Sequence, residues 1–383
     1  MRIGIDARHL INRRGIGTMV YHLVHALAEL PGDYSYVLFT DHPMAKLRAP
    51  QDERFRVRLL TPKLFPIWEQ IVLPAAAVSE RLDVLHCLAN TAPILLSGQI
   101  RLILTVHDVM YLMPVNALPR SPSLYQRLGR LYYRWCVPLA ARYADTIVTV
   151  SEASRQDILR YLRVKSERVQ VIREAANVSC KVVTDSTILD ATKAKYGLRR
   201  PFVLALGAID PRKNTARIIE AFARVSSRTK GRYQLVLVGL PSRHASRFRR
   251  LIESLGIVDE VVNVGFVPEE DLVALYNSSE MLLYPSLYEG FGLPILEAMA
   301  CGTPVITSLC GALPEVCGAA ALIVDPLNVD DIAAAMYRVA SDRDLRRNLI
   351  ARGHDQVQQF SWQRAASQTL DLYKSLRTSQ HVL

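Results

Sequence analysis

Short runs of aliphatic and β-branched residues alternate along this chain with longer stretches whose apolar positions recur every three to four residues. Strands that read as almost continuous apolar runs belong to parallel sheets covered on both faces, so the alternation predicts α/β layers. A first series of strands is expected at Ile3–Asp6, Tyr36–Phe39, Arg56–Leu59, Val84–His86, Leu102–Val106, Thr146–Val150 and Val169–Ile172, with helices over Gly17–Leu30, Ser123–Tyr143 and Glu152–Leu162. From Glu174 to Gly197 the pattern pauses, polar in patches and without a sustained period, as a connection between domains does. A second series follows at Phe202–Leu206, Gln234–Val238, Val261–Val264, Met281–Leu283, Val305–Thr307 and Ala321–Val324, with helices such as Asn214–Val225 and Glu270–Asn277. Two doubly wound, Rossmann-like domains are expected, over 1–178 and 196–361, joined by 179–195. Trp362–Leu376 carries Ala365, Ala366, Leu370, Leu372, Tyr373 and Leu376 at helical spacing, so 362–383 is expected to pack back on the first domain. Ligands of open α/β sheets collect beyond the carboxyl ends of the strands, which places the chemistry in a deep cleft faced by both domains.

Composition narrows the class. The chain has 383 residues, 50% of them hydrophobic and 22% charged, as in a globular protein with room for two cores. Its start runs directly into strand-like sequence, and the apolar runs Ile71–Val78 and Ala319–Val324 fall far short of the roughly 20 residues that cross a bilayer, so a cytoplasmic protein is expected. Six cysteines without a Cys-x-x-Cys pair suggest neither a zinc site nor a disulfide framework. The formal charge is +11, and residues 1–180 hold 23 Lys and Arg against 15 Asp and Glu, an excess of +8. Such a surface invites phosphorylated ligands or an anionic membrane face. No basic tail or aromatic-studded RNA motif accompanies it, so no nucleic-acid partner is expected.

The most informative run is Tyr284-Pro-Ser-Leu-Tyr-Glu289-Gly290-Phe291-Gly292-Leu293-Pro294-Ile-Leu-Glu297-Ala-Met-Ala-Cys-Gly302-Thr-Pro304-Val-Ile. It reads strand, glycine loop, short helix, turn, strand. Pro294 suits a helix's first turn and Gly302 its end, which puts Glu297 within the first turn or so. In one unbroken helix Glu289 and Glu297 would stand about 12 Å apart. A glycine loop lets both look into one cleft, with the amides of Phe291, Gly292 and Leu293 between them. Two carboxylates and free donors suit a polyhydroxylated ligand. The two glutamates, with Gly-Phe-Gly-Leu-Pro between them and Glu-Ala-Met-Ala-Cys-Gly-x-Pro-Val around the second, resemble the signature of the family 4 (group 1) glycosyltransferases, retaining enzymes with the two-lobed GT-B fold. The resemblance extends over nearly the whole chain. It implies that Glu289 lies near the donor sugar, that Phe291, Gly292 and Leu293 offer backbone contacts, and that Glu297 holds the ribose hydroxyls.

Other segments join this reading. Leu206-Gly207-Ala208-Ile209-Asp210-Pro211-Arg212-Lys213-Asn214 leads from a strand into a helix, and two cations beside a helix N-terminus favour a diphosphate. Many members of the family carry Arg directly after the glycine and Lys five residues later. Here the first position is Ala208, Lys213 matches the second, and Arg212 is the candidate replacement for the missing guanidinium. Arg13-Arg14-Gly15-Ile16-Gly17-Thr18 lies some eight residues beyond the first strand, and Val20 occupies the third glycine position of a dinucleotide fingerprint, which weakens an NAD reading. The resemblance puts Gly15 and Gly17 over the donor phosphates and His107 near the donor sugar, while Asp108 fixes the loop or the imidazole tautomer. Ser151 reads as a helix N-cap with the acceptor close by. In Gly311-Ala312-Leu313 the resemblance implies amides near the nucleotide phosphates. Asp342-Arg343-Asp344 has the form of a metal motif but begins a helix, where capping explains it, and no metal is expected.

The expected reaction is transfer of a hexose, mannose favoured, from a nucleoside-diphosphate sugar to a hydroxyl of a glycan or lipid-linked acceptor in cell-surface polysaccharide synthesis. GDP-mannose is favoured as donor by general similarity to bacterial mannosyltransferases, and UDP-glucose stays open. The basic first half and the aliphatic–aromatic stretches Leu64–Leu73 and Leu124–Val137 fit peripheral contact with an anionic membrane, although core helices look the same. Two alternatives keep the fold: a sugar-nucleotide epimerase, and a non-catalytic protein that binds nucleotide sugars.

Overall fold

A computed structural model describes residues 1–12, 14–113 and 124–378, and the side chains of 124–127, 242–245 and 377–378 lie outside that description. Arg13, Ser123 and the tail beyond 378 therefore fall outside the described residues. The chain divides into two compact units, one gathering the residues up to Glu174 with the segment from Ser361 on, the other running from Ala175 to Phe360.

The first unit holds strands β1 (Arg2–Asp6), β2 (Ser35–Thr40), β3 (Phe55–Leu59), β4 (Val84–Cys87), β5 (Arg101–Thr105), β6 (Thr146–Thr149) and β7 (Val169–Val171). They form one parallel sheet in the order β3-β2-β1-β4-β5-β6-β7. Helices α1 (Ile16–Glu29), α2 (Phe65–Ile67), α3 (Leu73–Ser79), α4 (Leu124–Tyr143) and α5 (Glu152–Leu162) belong to it, with a π-helical turn Trp68–Val72 between α2 and α3. Sheet position shows in the sequence. Central β4 is buried at every residue, whereas edge strand β3 exposes Arg56, which joins Arg2 and Arg58 in pairing with Glu80.

The second unit contains α6 (Ser186–Lys195), β8 (Phe202–Leu206), α7 (Thr215–Thr229), β9 (Gln234–Val238), α8 (Ser242–Ser254), β10 (Val261–Gly265), α9 (Glu269–Ser278), β11 (Met281–Tyr284), α10 (Leu293–Ala300), β12 (Val305–Ser308), α11 (Leu313–Cys317), β13 (Ala321–Val324), α12 (Val329–Ser341) and α13 (Arg343–Val357). Its parallel sheet runs β10-β9-β8-β11-β12-β13. Phe222 of α7 and Met336 of α12 are wholly buried in its core with Leu235 and Leu283. Burying each such side chain contributes about 1.5–3 kcal/mol. This is the GT-B class of fold, two doubly wound parallel sheets, and each expected strand is present to within one or two residues.

Helix α14 (Trp362–Thr378) belongs to the first unit, where Trp362 stacks on His22 at 5.3 Å and the Tyr373 hydroxyl meets His86 Nδ1 at 2.8 Å. The connection expected over 179–195 is corrected: it lies inside the second unit and ends in α6. Asp185 caps that helix by accepting from the Thr187 amide at 2.9 Å. Asp271 of α9 receives hydrogen bonds from Lys195 at 2.6 Å and Tyr196 at 2.5 Å just beyond it. Only Thr192 of α6 is buried, so the helix leaves almost no apolar period in the sequence.

Candidate active site

In the second sheet, β8 and β11 are neighbours from which the strand order grows in opposite directions, and loops leaving such a pair diverge and open a crevice. The segments singled out in the sequence are the loops after these two strands. They are fastened together by Asn214, a buried residue in the left-handed region (φ 59°), whose amide donates to Pro285 O at 3.1 Å and to Pro326 O at 2.6 Å. A second link runs from the Leu287 amide to Arg212 O at 2.7 Å.

Across this seam Lys213 Nζ donates to Glu289 Oε1 at 2.7 Å and to the Tyr284 hydroxyl at 2.6 Å. The two side chains are 23% and 12% exposed, so the pair is largely withdrawn from water. Burial works against the charge on Lys213, but Glu289 and Tyr284 outweigh it and hold the ammonium above its ordinary value. Burial alone would push the Glu289 carboxyl up, and Lys213 with Arg212 overcomes that and holds it below its usual range. Both groups are therefore charged near neutrality. Arg212 is engaged within its own loop, donating from Nε and Nη2 to Asp210 Oδ2 at 3.0 and 2.8 Å. The candidate substitute for an arginine at 208 thus already has a carboxylate partner. Gly207 closes β8 with its amide on Val238 O at 2.9 Å.

The glycine run after Glu289 ends in α10, with Gly292 as N-cap at φ 120° and Pro294 in the first turn. No described residue accepts from the amides of Phe291, Gly292 or Leu293, so three donors stand at the positive end of a helix. Glu297 is the fifth residue of α10, just past its first turn, and its Oε2 receives the Tyr276 hydroxyl at 3.1 Å. The two glutamates therefore have different partners. In the loop after β12 the Ala312 amide donates to Glu289 O at 3.0 Å, and Leu313 to Cys310 O at 3.4 Å. The phosphate role implied for the Ala312 amide is corrected to the support of Glu289.

In the first unit His107 follows β5. Its Nε2 meets Leu88 O at 2.9 Å, its Nδ1 lies 3.3 Å from Glu174 Oε1, and its backbone amide donates to Asn90 Oδ1 at 2.7 Å. A carbonyl and a carboxylate both accept, so each ring nitrogen faces an acceptor and the arrangement favours the doubly protonated imidazolium. Asp108 fixes the loop by accepting from the Met110 amide at 3.1 Å. Ser151 caps α5 with its hydroxyl on the Ser154 amide at 3.0 Å, and Ser154 donates to His107 O at 2.8 Å. Gly17 is required by packing: a Cβ there would stand 2.4 Å from Asn12 O. Gly15, at φ 54°, has open space around it. Asp342 caps α13, accepting from the amides of Asp344 and Leu345, and Asp344 pairs with Arg347.

Burial pushes the His107 imidazole down, but Glu174 and the Leu88 carbonyl outweigh it and raise its proton affinity above the ordinary value. Its charge adds to burial in holding the neighbouring His86 down at about 3, and His9 is also lowered, chiefly by burial. A raised folded-state value means stability that is complete below the unfolded value of about 6.5 and is lost as pH rises through the folded value. His86 and His9, being lowered, add stability over the same rise, so the pair shows in a difference: the melting temperature of the parent is expected to exceed that of Glu174→Gln by more at pH 6 than at pH 8. A variant that keeps the parent's slope would deny the pair this role.

Sequence reasoning did not assign Tyr284, Asn214 or Glu174. Tyr284 and Asn214 stood inside the quoted runs, at a strand end and before a helix. For Glu174 nothing local signals its approach to His107.

Residues 13–179 match the family model described as Glycosyltransferase Family 4, and residues 190–356 match Glycosyl transferases group 1. O-antigen chain mannosyltransferase B of Escherichia coli is 37% identical over 234 residues, 61% of this chain and 61% of that protein. Serotype-specific mannosyltransferase WbdA of Escherichia coli is 34% identical over 239 residues, 62% of this chain and 29% of that protein. The match thus spans less than two thirds of these relatives' length. Among solved structures, sucrose-phosphate synthase from Thermosynechococcus elongatus superposes with a TM-score of 0.75 at 24% identity over 99% of this chain and 100% of that one, a likeness of fold.

Proposed function

This chain belongs to the family 4, group 1 glycosyltransferases, and we propose that it moves a hexose, with retention, from a nucleoside-diphosphate sugar to a hydroxyl of a glycan or lipid-linked acceptor. The observation that carries this reading is Lys213 joined to Glu289 beside the unpaired amides of Phe291, Gly292 and Leu293. Departure of a nucleoside diphosphate builds negative charge on phosphate, and a fixed ammonium with fixed amides stabilises it without reorganising. Phosphate draws Lys213 toward itself, and Glu289, released from the pair, supports the positive charge growing at the anomeric carbon. Glu297 takes the ribose hydroxyls, and His107 serves the sugar by family resemblance. The names of the Escherichia coli relatives support mannose as the sugar and cell-surface polysaccharide as the product, and GDP-mannose is the donor put forward with them.

The reading uses no divalent ion, since Lys213 and the amides neutralise the leaving group and Asp342 and Asp344 have structural tasks. The test is a panel of nucleotide sugars followed by thermal shift, with and without a chelator. GDP-mannose at 100 times its Kd is expected to stabilise by about 2.7 kcal/mol, and its turnover is expected to survive chelation. Equal stabilisation by UDP-glucose and GDP-mannose would remove the donor assignment. Conversion of a donor to its epimer with no transfer would remove the reaction.

A further inference from the structure

We propose that the first unit docks on the surface of a bilayer containing anionic phospholipid, through the outward faces of the α2–α3 segment and α4. These two stretches were ambiguous in the sequence, because core helices carry the same residues. Here their large apolar side chains point outward. Leu64, Ile67 and Ile71 on the first segment and Leu128, Leu131, Trp135 and Leu139 on α4 are each between 38% and 68% exposed. The four on α4 follow steps of three, four and four residues, which keeps them within about 80° of arc at 100° per residue. Single exposed leucines need no explanation, but seven large apolar side chains on two packed helices form a patch that water does not favour.

The helices are locked side by side. Phe65 and Tyr132 meet edge to face at 5.2 Å, and the Tyr132 hydroxyl donates to Glu69 Oε2 at 2.5 Å while receiving Gln70 Nε2 at 3.1 Å. Charge selects the occupant. Within 61–79 and 124–143 the one acidic residue is Glu69, which is wholly buried and also receives Thr91 Oγ1. Exposed Lys63, Arg134 and Arg142 accompany the apolar rows. A basic helix with Leu and Trp on its other face lies in the plane of an interface, its apolar side in the acyl boundary and its cations among anionic headgroups, each cation near the surface adding to the attraction. A second copy fits less well, because a two-fold contact would bring the arginines of both copies together.

The test reads binding and not catalysis, so it is independent of the transfer reaction. The full chain is sedimented with vesicles of phosphatidylcholine alone or mixed with phosphatidylglycerol. Trp68 and Trp362 are buried, whereas Trp135 is 68% exposed, so Trp135 is the tryptophan expected to shift to the blue on binding and to be quenched by brominated acyl chains. Binding is expected with the anionic vesicles, weaker at high salt, and reduced about tenfold or more in Leu131→Glu/Trp135→Glu. Arg134→Gln/Arg142→Gln, which keeps the apolar rows, is expected to lose the preference for phosphatidylglycerol. Unchanged thermal melting shows that these surface variants fold. Absence of binding to both vesicle types, equal binding by the Leu131→Glu/Trp135→Glu variant, or a concentration-dependent dimer abolished by that variant without vesicle binding would each overturn the proposal.

Discussion

Lys213→Met is expected to reduce sugar transfer by about 10²–10³-fold, the loss seen when one preorganised donor to a developing anion is removed. It is also expected to destabilise the fold by about 3 kcal/mol. The ammonium is the partner of a nearly buried carboxylate, and removing one member of such a pair leaves the other charged, sheltered and alone. That figure is the lower end of the usual range, because 23% of the Lys213 side chain still meets solvent. Glu289 loses the group that depresses its proton affinity, so part of the penalty is relieved by protonation at mildly acid pH. The double variant Lys213→Met/Glu289→Gln separates the two roles. It removes the stranded charge and is expected to recover most of the melting temperature without recovering transfer. Transfer by the single variant within threefold of the parent, or recovered transfer in the double, would sink the assignment of Lys213 to the leaving group.

Gly311→Ala is expected to cost about 10²-fold in transfer although residue 311 touches no reacting group. A Cβ at this position would lie 2.3 Å from Glu289 O and 3.0 Å from Glu289 N, and backbone has no flexible end to yield. The peptide of Glu289 must shift, the Ala312 amide must leave its carbonyl, and the carboxylate moves with the chain. A displacement of about 1 Å at a positioned group is enough for such a loss. The conformation also contributes, since φ is +60° and a side chain in the left-handed region costs about 1–2 kcal/mol. Gly197→Ala supplies the control. Its φ is +67°, but nothing stands within 4 Å of the added carbon, so it carries the conformational cost without the collision. Equal transfer by the two variants would mean that crowding against Glu289 is not what requires a glycine at 311.

Much of this was present in the order of residues. Thirteen strands could be placed because a strand buried on both faces must be apolar along its length, and that shows without knowledge of its neighbours. The glycine run after Glu289 and the basic pair at Arg212 and Lys213 could be read because local backbone geometry and a helix N-terminus demand those residue types where they stand. Helix α6 was missed for the complementary reason: with only Thr192 buried it leaves no period to detect.

Pairing was another matter. Lys213 and Glu289 were each marked for a different part of the donor, and only the sheet order, which sets β8 beside β11, brings them to 2.7 Å of each other. Glu174 acquires meaning only beside His107, and the stretches around Ile71 and Trp135 could be told from core helices only by which way their side chains face. The sequence determined what each segment becomes and which chemistry it carries, because propensity, burial pattern and turn geometry act over a few residues. The tertiary structure alone decided which charges neutralise one another and which apolar faces stay uncovered, because those depend on contacts between residues far apart in the chain.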